Sequence, residues 1–316
     1  MSQEACPVPV YGGQAVIEGV MFAGQHVHVT AVRRKNKQID FFEVPKKPAK
    51  RLTALKKIPF IRGLVALVES SAKGSQHLNF SAEAYAEDSD EPAEQKKETM
   101  DSKLTMILGV AVVGVLSFIF GKFIFTLVPV FIEDLLFGRF FVNQDVIHNL
   151  IEGFIKIILL VVYIQLIAQT PLIKRLFQYH GAEHKVITAY EAGDPLTVAN
   201  VQKYNTLHYR CGSSFMVFTV LIGVIIYSLF SYDDIWERVL QRIALLPVVV
   251  GVSYEVLRFT NSVKDNAVLR WLGYPGLMLQ KLTTKEPTDD QVEVAIASFQ
   301  RMLEADRRYN SSNANN

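Results

Sequence analysis

One stretch decides the fold class of this sequence: LIEGFIKIILLVVYIQLIA, at residues 150–168. It is long and apolar enough to form a helix across the hydrocarbon core of a membrane, which takes about 17 to 25 residues. Three other runs have the same character, at residues 104–132, 213–230 and 239–257. The sequence therefore predicts a mainly α-helical, polytopic membrane protein with four transmembrane helices.

The composition agrees with this prediction, gives no support to one other class and excludes a second. Half of the 316 residues are hydrophobic and only 20% are charged, against about 25% in typical soluble domains, and the mean hydropathy is +0.19. The formal net charge of +2 gives no reason to expect specific nucleic-acid binding. With only two cysteines, Cys6 and Cys211, the chain is not a disulfide scaffold.

The positions of lysine and arginine predict the orientation, because basic residues accumulate on the cytoplasmic side of a membrane. Fifteen of them precede residue 104, five lie in residues 170–212 and eight follow residue 257. Residues 133–149 contain one, and residues 231–237 contain none. We therefore predict a multi-pass protein of the plasma membrane with both termini in the cytoplasm and with membrane lipid as a partner.

This topology divides the chain into four predicted regions. Residues 1–80 form a small cytoplasmic α+β segment, and residues 81–103 form an acidic flexible linker. Residues 104–258 form the transmembrane region, with a cytoplasmic connection at residues 170–212. Residues 259–316 form a cytoplasmic C-terminal segment.

Three patterns predict secondary structure in the cytoplasmic segments. The alternating residues 26–34 and 39–44, joined by the turn residues 35–37, predict an N-terminal β-hairpin. Residues 60–79 have apolar side chains at helical spacing, which predicts an amphipathic helix. The TDDQ capping box at residues 288–291 predicts the start of a second amphipathic helix.

The most distinctive motif is HGAEH at residues 180–184, which fits the H-x-x-E-H metal-binding pattern. On a helix, His180 and His184 are separated by one turn and only about 40° of rotation, so one metal ion can contact both. Glu183 is then the candidate catalytic base. The spacing is equally compatible with a polar network of histidines that binds no metal.

A catalytic metal needs a third protein ligand. His208 and Cys211 are candidates from the segment before the third apolar run, and Glu18 is a candidate from the N-terminal segment. Glu191 lies on the same helical stripe as the histidines but about 10.5 Å beyond His184. We therefore expect Glu191 and Arg210 to orient ligands or to bind an anionic substrate. Imidazole and thiol ligands favour zinc as the divalent metal.

Several segments resemble the YqhQ family of bacterial membrane proteins, a group of unknown function often labelled predicted metal-dependent enzymes. The matching segments are GGQAVIEGVM (12–21), RGLVALVESSAKG (62–74), HGAEHKVITAYEAG (180–193), RCGSSF (210–215) and LTTKEPTDDQVEVAI (282–296). The resemblance implies a few transmembrane helices with interleaved cytoplasmic motifs, and a metal at His180, Glu183 and His184.

Two functions are compatible with these features. The first is an integral membrane enzyme that uses a divalent metal, expected to be zinc, for hydrolysis on the cytoplasmic side. The alternative is a non-enzymatic scaffold or biogenesis factor that docks a ribosome, a translocon or another membrane protein through its basic and amphipathic segments. In that case the histidines of residues 180–184 form a structural hydrogen-bond network.

Overall fold

The computed structural model describes residues 11–46, 54–88, 121, 124–138, 140, 144–209, 211–263 and 266–314. Cys6, most of the first apolar run and most of the predicted acidic linker therefore lie outside the described residues.

The N-terminal segment folds into a four-stranded antiparallel sheet in which consecutive strands are neighbours. Its strands are β1 (Gly12–Val16), β2 (Gly19–Ala23), β3 (Val27–Arg33) and β4 (Ile39–Pro45). The predicted hairpin corresponds to β3 and β4, where Arg33 lies opposite Ile39 and the turn residue Lys37 has a positive φ of 69°. The sequence did not predict β1 and β2, because they are short and carry glycines that weaken the strand pattern.

Most of the remaining described residues are helical. The helices are α1 (Ile61–Glu87), α2 (Asp145–Ile167), α3 (Pro171–Glu191), α4 (Val198–Val201), α5 (Ser214–Tyr227), α6 (Ile235–Ala244), α7 (Leu246–Ser262), α8 (Tyr274–Thr283) and α9 (Asp289–Ala314), with a 3-10 helix at Leu269–Gly273. Residues 124–137 are helical as well. The two predicted amphipathic helices correspond to α1 and α9, and α1 continues to Glu87, beyond the predicted start of the linker at residue 81.

The sheet, α3 and α9 share one hydrophobic core. Phe22 of β2 and Phe299 of α9 are fully buried, and their rings meet edge to face with centroids 5.0 Å apart. Tyr179 and Val186 of α3 are also fully buried in this core. Burial of one face of α3 fixes the helix against the sheet, and α3 carries the H-x-x-E-H motif.

A second packed region contains α2, α5 and α7, with α1 against α7 and α8 against α5. It contains a buried group of charged and polar side chains, which we call the ion network: Glu133, His148, Glu152, Arg238 and Arg242. Arg238 binds Glu133 at 2.6 Å and Glu152 at 2.8 Å, and Arg242 binds Glu152 at 2.9 Å. The network ties α6 to α2 and to the helical residues 124–137.

The prediction of four transmembrane helices is wrong. Within the described residues, α2 is the one helix long and apolar enough to cross a membrane by length and composition. A second span arises only if α6 and α7, which bend by 51° at their junction, are counted together.

The errors have local causes. The run 213–230 forms only the 14-residue helix α5, which is about 21 Å long and shorter than the roughly 30 Å hydrocarbon core. In the run 239–257, Pro247 falls in the first turn of α7, where proline is accepted but ends the preceding helix. Hydropathy averaged over a window detects neither effect. The run 104–132 is described only at residue 121 and from residue 124 onward.

Candidate metal centre

The helix α3 holds the H-x-x-E-H motif at the edge of a cavity of about 340 Å³. Pro171 occupies the first turn of α3, and the helix is followed by Gly193 at a positive φ of 79°, a conformation that commonly ends a helix. His180, Glu183 and His184 all line the cavity. The facing wall consists of β1, and residues 208 and 211–213 complete the lining.

Three ligand-type side chains converge in this cavity: His180, His184 and Cys211. One donor atom from each lies within 4.8 Å of the others. The Sγ atom of Cys211 is 3.2 Å from Nε2 of His180, and the two imidazole centroids are 4.5 Å apart. Two imidazole nitrogens and one thiol sulfur form a donor set that fits zinc, with room on the cavity side for a fourth position.

Backbone carbonyls fix the orientation of both imidazoles. Nδ1 of His180 donates to the carbonyl oxygen of Thr283 at 2.9 Å, and Nδ1 of His184 donates to the carbonyl oxygen of Thr206. Because a carbonyl only accepts hydrogen bonds, each Nδ1 carries the proton and each Nε2 keeps its lone pair. Metal-binding histidines are typically held in this way, since the outer hydrogen bond sets the tautomer and the ring plane.

Glu183 is almost completely buried and accepts a hydrogen bond from the backbone N–H of Gly13. Burial raises the pKa of Glu183 to about 7, although His180 and the Gly13 N–H both oppose this shift. A carboxyl group with a pKa near neutrality can take up and release a proton at physiological pH.

Gly13 allows β1 to lie close to Glu183. A Cβ atom at this position would lie 2.6 Å from the carbonyl oxygen of Met21 and 3.0 Å from Cδ of Glu183. Only a residue without a side chain fits between the strand β2 and the carboxyl group. Gly13 therefore contributes its backbone N–H, rather than a side chain, to the site.

Among the other predicted site residues that the structure describes, one lines the cavity and two do not. His208 lines the cavity, with its ring centroid 5.7 Å from that of His184 and its Nε2 3.7 Å from the carboxylate of Glu191. Glu18 is not part of the cavity lining: it binds Arg175 and accepts a hydrogen bond from the Tyr179 hydroxyl at 3.3 Å. Arg210 lies outside the described residues.

Sequence reasoning missed the residues that hold the ligands in place. Gln280 is fully buried, accepts from the backbone N–H of His208 at 2.8 Å and donates to the His208 carbonyl at 2.8 Å. Ser213 lies 3.0 Å from the Cys211 sulfur. Main-chain carbonyls of residues 206 and 283 have no sequence signature, so only the three-dimensional structure identifies their role.

The fold and the site together define an α+β protein in which an H-x-x-E-H helix lies against an antiparallel sheet. The chain belongs to the DUF1385 family of proteins of unknown function, whose sequence pattern matches residues 58–305. It is 55% identical over 304 residues to the uncharacterized protein YqhQ of Bacillus subtilis (strain 168), covering 96% of this chain and 95% of that protein. The predicted membership of the YqhQ family is confirmed. No solved structure matches the chain.

Proposed function

We propose that this protein is a membrane-attached, metal-dependent hydrolase with zinc held by His180, His184 and Cys211. The observation that carries the proposal is the convergence of three donor atoms within 4.8 Å, two of them on imidazoles oriented by backbone carbonyls. A polar network without a metal accounts for the hydrogen bond between His180 and Cys211, but it does not account for the ligand atom of His184 within 4.8 Å of both.

A zinc ion bound there would polarise a substrate carbonyl or phosphoryl group and acidify a water molecule. Glu183 would take the proton from the attacking water and deliver it to the leaving group, because its carboxyl group lines the same cavity as the three ligands. His208, which lines the cavity beside Glu191, can bind the oxygen of a substrate. The cavity of about 340 Å³ accepts a small molecule or the reacting segment of a larger one.

The proposed attachment to a membrane rests on the outer face of α2. Five large apolar side chains spaced four residues apart are exposed along it, by 56, 64, 45, 47 and 60%: Leu150, Phe154, Ile158, Val162 and Leu166. A water-exposed stripe of this length is unusual for a soluble protein, whereas lipid solvates it well. The plasma membrane, with the cavity on its cytoplasmic side, fits the excess of basic residues around the site.

The same stripe also fits a partner membrane helix. It therefore favours, as a second candidate function, the non-enzymatic scaffold that docks a translocon, a ribosome complex or another membrane protein. Metal content separates the two functions.

The first experiment is elemental analysis of the full-length chain purified in detergent, beside the double variant His180→Ala/His184→Ala. The proposal expects about one zinc per chain in the wild type and none in the double variant. The matched control is His26→Ala, because His26 is distant in sequence from the ligands and stacks on Tyr309 instead. A wild-type protein that binds no metal after exposure to zinc would refute the site and favour the scaffold.

A second experiment tests catalysis separately from binding. Glu183→Gln removes the base but none of the three ligands, so the variant should retain its zinc. Its rate on ester, amide or phosphoester substrates that the wild type hydrolyses should fall by about 10² to 10⁴-fold. Equal rates for wild type and variant would exclude Glu183 as the base even if the metal is present.

A further inference from the structure

A second cavity, of about 280 Å³, lies among α2, α5 and α7. It shares no lining residue with the metal centre. Its walls are mostly apolar and include Val220 and Val224 of α5 and Val249 of α7. One part of the lining is polar, because Asn149, Glu152 and Lys156 of α2 contribute to it. An apolar cavity with a few convergent polar groups is the usual form of a binding site for an amphipathic small molecule.

Asn149 lines this cavity and carries a buried hydrogen-bond donor that no described residue satisfies. The residue is only 2% exposed, and its Oδ1 atom accepts a hydrogen bond from Nη2 of Arg242. Because guanidinium groups only donate, this bond fixes which end of the amide faces Arg242. The Nδ2 atom is buried and has no hydrogen-bond partner among the described residues. Buried donors without an acceptor are rare and unfavourable, so this atom calls for an oxygen from a ligand.

The carboxylate of Glu152 cannot satisfy that donor or attract a cation, because both of its oxygens are already bound. Lys156 Nζ donates to Oε1 at 2.6 Å, while Arg238 and Arg242 donate to Oε2 at 2.8 and 2.9 Å. Since Arg238 also binds Glu133, three cations share two carboxylates here, which leaves one positive charge in excess. The polar part of the lining therefore offers donors, from the Asn149 amide and the Lys156 ammonium, and favours an anionic acceptor.

We propose that this cavity binds a single acyl chain whose anionic head group, a carboxylate or a phosphate, accepts hydrogen bonds from Asn149 and Lys156. The chain lies along the apolar walls formed by α5 and α7. The volume is close to the lower end of the range for ligand cavities, roughly 300 to 1,000 Å³, and so admits one chain rather than a two-chain lipid. The inference does not depend on the metal centre.

The test is equilibrium binding of radiolabelled dodecanoate to the full-length chain, purified in a detergent with an uncharged head group. Competition with unlabelled dodecyl phosphate, dodecanoate and dodecylammonium compares head groups on an identical chain. Both anions should displace the label, and their relative strength identifies whether a carboxylate or a phosphate is the natural head group. Dodecylammonium should compete at least about tenfold more weakly, and equal competition would overturn the proposal.

Two variants locate the binding. Asn149→Asp keeps an oxygen for Arg242 but places a carboxylate where the donor was, so dodecanoate should bind about tenfold more weakly or not at all. Gln165→Glu makes the same amide-to-acid change at an exposed position of α2, outside the cavity, and should bind like the wild type.

Val220→Trp fills the cavity from its apolar side without touching the ion network, and it should abolish binding. If Asn149→Asp does not fold, Val220→Trp alone tests whether the fatty acid binds in this cavity. Wild-type affinity in folded Val220→Trp, or in folded Asn149→Asp, would show that the fatty acid binds elsewhere and would refute the proposal.

Discussion

The ion network and the metal centre are both clusters of buried polar side chains, yet they use their hydrogen-bonding atoms differently. In the ion network, the carboxylates of Glu133 and Glu152 face arginine nitrogens at 2.6 to 2.9 Å. In the metal centre, His180 and His184 each bind a backbone carbonyl with one nitrogen and direct the other toward a thiol and a cavity. Polar atoms that the protein itself satisfies hold the fold together, and those left facing a cavity indicate a ligand.

The two clusters should also differ in how much stability the protein loses when one of their side chains is removed. Burying a complete set of charges is close to neutral, because desolvation offsets the attraction, but removing one partner leaves an uncompensated charge. Removal of any one charged side chain should therefore destabilise the whole ion network. The candidate metal centre should tolerate the loss of one imidazole better, since His180 and His184 each bind a backbone carbonyl rather than a charged partner.

The largest effect is expected for Glu152→Ala. It leaves Arg238, Arg242 and Lys156 without their shared carboxylate, so the free energy of unfolding should fall by about 4 kcal/mol. Thermal or denaturant unfolding in detergent measures the loss. Glu304→Ala removes an exposed carboxylate on α9 and should stay within about 0.5 kcal/mol of the wild type. If His180→Ala destabilised the chain as much as Glu152→Ala, the two clusters would not differ in their contribution to stability.

A smaller effect is expected where the strand β1 meets Glu183. Gly13→Ala forces a Cβ atom against the carbonyl of Met21 and the carboxyl group of Glu183, and should cost about 2 kcal/mol of stability. It should also lower the hydrolytic rate by displacing Glu183. A Cβ atom at the adjacent Gly12 would meet no atom within 4 Å, so Gly12→Ala is the control and should be nearly neutral. Equal effects of the two substitutions would show that β1 does not position the carboxylate.

The third effect depends on pH and concerns two further buried imidazoles, His28 of β3 and His77 of α1. Burial lowers the pKa of His28 to about 3, with help from Lys46 and Lys73, and the pKa of His77 to about 4. In the unfolded chain both protonate near pH 6.5. Between pH 6.5 and 4, therefore, only the unfolded chain gains protons, and the stability present above pH 6.5 is lost as the pH falls.

This loss should amount to about 1 kcal/mol per pH unit for the pair, after allowance for solvent screening. Unfolding measured from pH 7 to pH 4 gives the slope. His28→Leu should flatten it, because neither nitrogen of His28 has a hydrogen-bond partner among the described residues. An unchanged slope in His28→Leu would show that other groups govern the acid sensitivity.

Local patterns in the sequence were informative where one segment determines its own structure. The alternation around residues 35–37 predicted the β3–β4 hairpin, and the TDDQ box predicted the start of α9, where Gln291 accepts from the backbone N–H of Thr288 at 3.0 Å. Helical spacing placed His180 and His184 on one face of a helix. All of these depend on contacts within a few residues.

The sequence was uninformative where distant segments meet. It could not choose among Glu18, His208 and Cys211 as neighbours of the histidines, because that depends on how His208 and Ser213 pack against α8. Hydropathy also gave the wrong number of transmembrane helices. It does not register that the chain bends by 51° between α6 and α7. Arg242 lies inside an apolar run, and its partner Glu152 is 90 residues away.

The packing of α9 on the sheet has a consequence for how the chain is made. Ser298 donates to the carbonyl of Val20, a contact across 278 residues, and Asp306 accepts from the backbone N–H of Gln25. At roughly 5 to 20 residues per second, a ribosome takes about 15 to 55 s to add those residues. During that interval β2 and β3 have been synthesised, but the helix α9 that covers them does not yet exist. The cavity of the metal centre therefore gains its full support only after α9 has been synthesised, and a chain that stalls or is truncated before α9 would lack it.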